Sequence, residues 1–207
     1  PAPGAGGMRA ASAAKREAFL LPAQVNYVGM GGNLYDAGYA YHGSVHVILK
    51  QLRTGWLWEK VRVQGGAYGA FCAFDRMGGA FVLASYRDPN VRGTIDVFSR
   101  TAEYLRNIRL SRRELDSAVI GAMGELDAYL LPDAKGLAAF GRSLTGATAA
   151  LRQKMRDEVL ATTEDHFRQF SGCLEKALEN GTTCALGGDT LEKTAREDGN
   201  WSTAKLL

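Results

Sequence analysis

The hydrophobic pattern changes period several times along the chain. In PAQVNYVGMGG, Val25, Tyr27 and Gly29 alternate with Asn26 and Val28. That predicts a short strand ending in a glycine turn at Gly31 and Gly32. The period then lengthens: Val45, Leu49, Leu52 and Trp56 fall at helical spacing, with Ile48 beside them. A helix is predicted from about 39 to 52, interrupted at Gly55, with WLWEKVRV as a second short helix. Gly65 and Gly66 break it. Alternation returns in QGGAYGAFCAFD, where both faces are small or apolar, as in a strand covered on both sides. AFVLASYRD is its returning partner, giving a hairpin of about 67–75 and 80–87.

Beyond DPN the period is helical again, with Ile95, Phe98, Ala102 and Leu105 in register between about 91 and 108. Ser111 followed by Glu114 has the spacing of a capping box. Leu115, Val119, Ala122 and Leu126 form the apolar stripe of the helix it opens, and Pro132 is its expected stop. Two more helices are predicted at about 134–144 and 147–159. Another starts with Thr163 as N-cap, carries Asp165 in its first turn and ends at Gly181. TTCALGG reads as a final strand. The division expected is a disordered linker or transit-like segment over 1–18, a folded domain over 19–190 and a frayed polar tail over 191–207. Strands, then helices, then one strand again make an α+β fold: a mainly antiparallel sheet packed against a layer of helices.

Composition narrows the function classes. The 207 residues are 46% hydrophobic and 23% charged, enough for an ordinary core. The net charge of +3 is mild and dispersed, so neither nucleic acid nor an anionic membrane surface is expected as partner. No apolar run approaches the ~20 residues that membrane insertion requires. Three cysteines, an odd number without a C-x-x-C pair, fit a reducing compartment rather than a disulfide framework.

The most conspicuous chemical pattern is HGSVH, with His42 and His46 four apart and Val45 where an H-x-x-E-H zinc peptidase motif has glutamate. A live zinc site, with Glu125 as a third ligand, would lack its general base. A structural zinc site would need further ligands, and His166 is far away in sequence. The favoured reading is two histidines satisfied by solvent or a carbonyl. Cys72 reads as a small packing residue, and GMGGN lacks the full phosphate-binding pattern. Arg106, Arg109, Arg112 and Arg113 read as a solvated helix face.

LPAQVNYVG, LRTGWLWEKVRVQGGAYGAFCAFD, SYRDPN and LLPDAKG resemble the C-terminal region of the presequence-protease branch of the pitrilysin-type metallopeptidases, over about 21–170. The resemblance implies a pitrilysin/processing-peptidase-like domain that binds no zinc. Zinc is then expected on an N-terminal catalytic half that closes over unstructured peptides. It further implies that the family's catalytic arginine and tyrosine map onto Arg62 and Tyr68, with Gly65 and Gly66 admitting a peptide backbone. A guanidinium and a phenol O–H suit an oxyanion developing in peptide hydrolysis. An extended peptide could also pair with an exposed sheet edge. The expected setting is the mitochondrial matrix or plastid stroma, and the chain alone is expected to be inactive. The other reading is a stand-alone, non-catalytic peptide-binding or scaffold subunit of the same fold. Without the resemblance, Arg62 would be read as capping helix-end carbonyls or pairing with Glu59, and Tyr68 as a half-buried packing residue.

Overall fold

The computed structural model describes residues 14–206; the expectations for 1–13 and 207 lie outside them. The chain runs β1 (Arg16–Leu20), β2 (Asn26–Asn33), α1 (Ser44–Gln51), a wide-turned helical extension (Leu52–Trp56 and Trp58–Gln64), β3 (Gly69–Phe74) and β4 (Ala80–Asp88). There follow α2 (Arg92–Ser99), α3 (Thr101–Arg106), α4 (Arg112–Leu126), α5 (Pro132–Leu144), α6 (Ala149–Leu160), α7 (Glu164–Asn180), β5 (Thr182–Gly187), α8 (Asp189–Asp198) and β6 (Ser202–Lys205). The strands form one sheet in the order β3-β4-β2-β5-β1-β6. The β3, β4, β2 and β5 pairings are antiparallel, and β1 runs parallel to both β5 and β6.

One sheet face carries the core. Val28 and Met30 on β2, Phe81 and Leu83 on β4 and Ala185 on β5 are buried there. They meet Phe98, Phe167, Phe170 and Leu174 from the helices, with Phe81 and Phe170 edge to face at 6.0 Å. The opposite face stays open, as alternation along antiparallel strands allows. Gly69, Phe71 and Ala73 on β3 lie opposite Tyr86, Ala84 and Val82 on β4, and Gly29 and Gly31 on β2 continue the row.

Several expectations need correction. Residues 16–18, assigned to the linker, belong to β1, an inner strand with Ala18 buried; its central place comes from parallel neighbours that no local pattern announces. The tail is ordered: α8 buries Leu191, Thr194 and Ala195, and β6 pairs with β1. Gly31 and Gly32 form no turn, since β2 continues to Asn33. There α7 comes so close that a Cβ on Gly32 would sit 1.9 Å from the Ala177 carbonyl oxygen. Pro132 opens α5 rather than stopping α4, which ends at Leu126. A proline at the first helical turn gives up only an N–H that has no partner there.

Gly55 does not break the helix. The turns widen instead, and the N–H of Leu57 bonds the Leu52 carbonyl. A turn closed five residues on brings Leu52 and Leu57 onto one side, where both are fully buried, as is Val61. The capping boxes at Ser111 with Glu114 and at Thr163 with His166 are both formed.

Candidate functional site

The helical extension delivers the chain to β3 through a tight turn, and the predicted site residues sit on this turn. Arg62 lies in the last turn of the extension and Tyr68 directly precedes β3. Between them the N–H of Gly66 donates to the Arg62 carbonyl at 3.0 Å, and that of Ala67 to the Val61 carbonyl at 3.1 Å. Gly66 has φ +79°, in the left-handed region. A Cβ on Gly65 would come within 2.5 Å of the Val61 carbonyl oxygen. Both glycines are therefore dictated by the turn itself.

A second segment fastens the turn. Asn90 Nδ2 donates to the Gly65 carbonyl at 2.5 Å. Asn90 is itself placed by its N–H to Asp88 Oδ1 at 2.8 Å, and Thr94 Oγ1 donates to the other Asp88 oxygen at 2.7 Å. Asp88 is fully buried, and Asn26 Nδ2 donates to its carbonyl at 3.0 Å. Sequence reasoning missed these supports; the signal was the SYRDPN stretch, quoted above for resemblance but given no role. One consequence is that the Gly65 carbonyl is already occupied, whereas Gly66 is exposed.

The Arg62 guanidinium lies over the Trp58 indole, with Cζ 3.9 Å from the ring centroid. Glu59, the local acid, accepts from Gln64 Nε2 at 2.8 Å instead. Among the described residues no carboxylate lies within 4.0 Å of Arg62. Tyr68 is 68% exposed and meets the ring of Tyr86 edge to face at 6.0 Å. Tyr86 in turn meets Tyr27 at 5.4 Å. With the exposed side chains of Phe71 and Val82, these rings cover the open sheet face with apolar surface. An un-neutralised cation before the turn and an exposed phenol after it, the phenol against the Tyr86 ring, have the chemistry to hold a peptide carbonyl or a developing oxyanion. The neighbouring edge of β3 is not wholly free: Arg53 Nε donates to the Cys72 carbonyl at 3.0 Å and its Nη1 to Glu125 at 3.1 Å. Strand addition is blocked at that carbonyl.

The two histidines of HGSVH diverge. His42 Nδ1 bonds Ser44 Oγ at 2.9 Å, and its ring stacks on His166 with centroids 4.8 Å apart. His46 Nε2 bonds the Tyr41 hydroxyl at 3.1 Å. Burial lowers the pKa of both from the ordinary histidine value. Glu125, the imagined third ligand, bonds Lys50 and Arg53. Among the described residues, no group of three or more His, Cys, Asp or Glu is placed to hold a metal. The His42–His166 stack borders a cavity of about 360 Å³ together with Tyr39, Ser44 and Cys173. No local pattern announces it, because its lining comes from α7, the start of α1 and the segment before it.

Other motifs resolve structurally. Cys72 is buried, donates to the Leu49 carbonyl at 3.6 Å, and has its pKa pushed up to about 11 by burial, which removes thiolate reactivity. GMGGN lies within β2. Arg106 pairs with Glu175 at 2.5 Å and Arg112 with Asp116 at 2.9 Å, both on exposed helix faces.

Residues 16–186 match the family described as PreP C-terminal domain. The chain is 40% identical over 192 residues to the chloroplastic/mitochondrial presequence protease 1 of Arabidopsis thaliana, covering 92% of this chain and 18% of that protein. It is 33% identical over 175 residues to Protein HypA of Clostridium perfringens, covering 84% and 18%. The chain thus spans less than a fifth of the length of these relatives. In fold it is similar to a peptidase M16 inactive domain from Pseudomonas fluorescens, with TM-score 0.65, 19% identity, and coverage of 85% of this chain and 43% of that one. Pitrilysin is more distant, with TM-score 0.53, 11% identity, and coverage of 93% and 22%. A match over most of its length and the 40% identity establish that this chain belongs to the presequence protease C-terminal domain family.

Proposed function

We propose that this chain is the substrate-contacting part of a presequence-protease-like metalloendopeptidase that degrades targeting peptides and other short unstructured peptides. The observation that carries this reading is Arg62 and Tyr68 at the two ends of one fastened turn, Tyr68 against the Tyr86 ring of the open face and Arg62 with no carboxylate neutralising it. The open face receives the peptide. The Arg62 guanidinium holds a carbonyl by its N–H edge. Tyr68 donates its phenolic proton in a hydrogen bond to the oxyanion as the scissile carbon becomes tetrahedral. The metal and the general base would come from an N-terminal half, which would supply Lewis-acid polarisation and an activated water. The residues of HGSVH do not fit that metal on this chain.

Two observations support a partner half. The relatives are more than five times as long as the matched region. In addition, α5 buries none of its residues, while Leu137, Phe140 and Leu144 form an exposed row on one side of it. Apolar rows of this kind are characteristic of surfaces covered by further polypeptide. The organelle names of the Arabidopsis relative support a mitochondrial or plastid setting.

The test is to assay the isolated chain with added zinc on a fluorogenic peptide. Peptide binding without turnover is expected. Robust, chelator-sensitive turnover would overturn the reading. The stand-alone scaffold reading is separated by adding an N-terminal half of a relative in trans: gain of turnover favours the enzyme, and none favours the scaffold.

A further inference from the structure

We propose that Trp58 is the positioning residue of Arg62, holding its guanidinium flat so that the N–H edge is offered to a backbone carbonyl of bound peptide. This rests on the reading above that Arg62 contacts substrate. An arginine on an exposed helical turn ordinarily samples many rotamers. Here Cζ lies 3.9 Å from the indole centroid, within the range of a cation–π contact. At that separation a guanidinium packs most closely with its plane along the ring, which leaves its in-plane donors free.

Three features set Trp58 apart from a packing residue. It is 45% exposed, while its neighbours Leu57 and Val61 carry the burial of that segment. The chain's other tryptophans have structural partners: Trp56 stacks on Tyr104 at 4.6 Å and donates to Thr101 at 3.1 Å, and Trp201 donates to Asp198 at 3.2 Å. The acid that could draw Arg62 aside, Glu59, is held by Gln64. Trp58 and Arg62 also lie on the same helical run, Trp58–Gln64, so the stack travels with the turn. An indole placed there removes rotamers of the cation before substrate arrives, and so lowers the ordering that binding must impose.

The experiment compares the 207-residue chain with Trp58→Leu, Trp58→Phe, Arg62→Ala and the double variant Trp58→Leu/Arg62→Ala. Two readouts are taken: the Arg62 Nε–H resonance and the affinity for a fluorescein-labelled unstructured peptide. The stack predicts that Trp58→Leu moves the resonance downfield, out of the indole ring current, and that Trp58→Phe moves it part of the way. It also predicts an affinity loss of about two- to fivefold for Trp58→Leu, the range of an exposed cation–π contact. Trp58→Phe should recover part of that loss, and the double variant should bind no worse than Arg62→Ala alone. An unmoved resonance, or losses that simply add, would overturn the proposal. If the resonance moves but Arg62→Ala binds like the parent, the stack stands and the reading of Arg62 as a substrate contact falls.

Discussion

The Asn90 side-chain amide donates to the Gly65 carbonyl at 2.5 Å, so the segment after β4 holds the turn that separates Arg62 from Tyr68. Two stretches more than twenty residues apart in sequence thereby build one corner. Replacing Asn90 with Ala removes that bond and leaves the carbonyl to solvent. The expected cost is about 0.5–1.5 kcal/mol of stability, seen as a lower urea midpoint at unchanged m-value. Peptide affinity should fall as well, since the turn gains freedom. A variant as stable and as tight-binding as the parent would show that the turn needs no fastening.

The glycine at 32 is expected to be the least replaceable position on β2. Its Cβ would collide with backbone of α7 rather than with a side chain that can swing away. Gly32→Ala should destabilise the chain by about 1–3 kcal/mol or more, read by thermal or chemical unfolding, because β2 and α7 must separate. Gly29→Ala, where the nearest atom is at 3.7 Å, is the matched control and should cost far less.

The half-buried histidines give the fold a pH dependence of definite sign. Burial lowers the pKa of His42 and His46 below the ordinary 6.5. Glu158 on α6 opposes the shift at His42, while His166 on α7 and Lys154 on α6 add to it. At His46, Arg53 and Arg76 add to the shift and Glu125 opposes it. Below about pH 6.5 the unfolded chain takes up protons that the folded chain does not, so unfolding becomes easier as pH falls. Stability should be at its full value above 6.5 and decline toward the folded-state values of the two rings. Histidine NMR titration alongside urea unfolding checks this, and His42→Gln should flatten part of the slope.

Much of the fold was legible because its signals are local. The β3–β4 hairpin, the capping box at Ser111 and the α7 start at Thr163 each follow from spacing within a few residues. The strand β6 and the helix α8 escaped because they are short and largely polar, and β1 because it is only five residues long; all draw their order from neighbours distant in sequence. The wide-turned extension was hidden because Gly55 reads as a breaker, while a five-residue spacing of Leu52 and Leu57 satisfies the core only when the turn expands. At the candidate site, Arg62 and Tyr68 are proposed from resemblance, since no periodicity marks them. Their supports, Trp58 and Asn90, act through side-chain geometry that no periodicity encodes.

The exposed row on α5 should behave as a docking surface and not as part of this domain's core. Changing Leu137 and Phe140 to Glu is expected to move the stability of the isolated chain by no more than about 0.5 kcal/mol per site, because both are already exposed. The same changes should weaken association with an N-terminal half supplied in trans, measured by co-purification or sedimentation. Marked unfolding of the isolated variant would place these residues in a local core instead.

Whether Tyr68 donates to the oxyanion is decided by steady-state kinetics of Tyr68→Phe in a longer protein that carries both halves. Loss of one oxyanion donor predicts a fall of about 10²–10³ in kcat with a much smaller change in KM, because the bond forms mainly in the transition state. An unchanged kcat, or a rise in KM alone, would contradict the account.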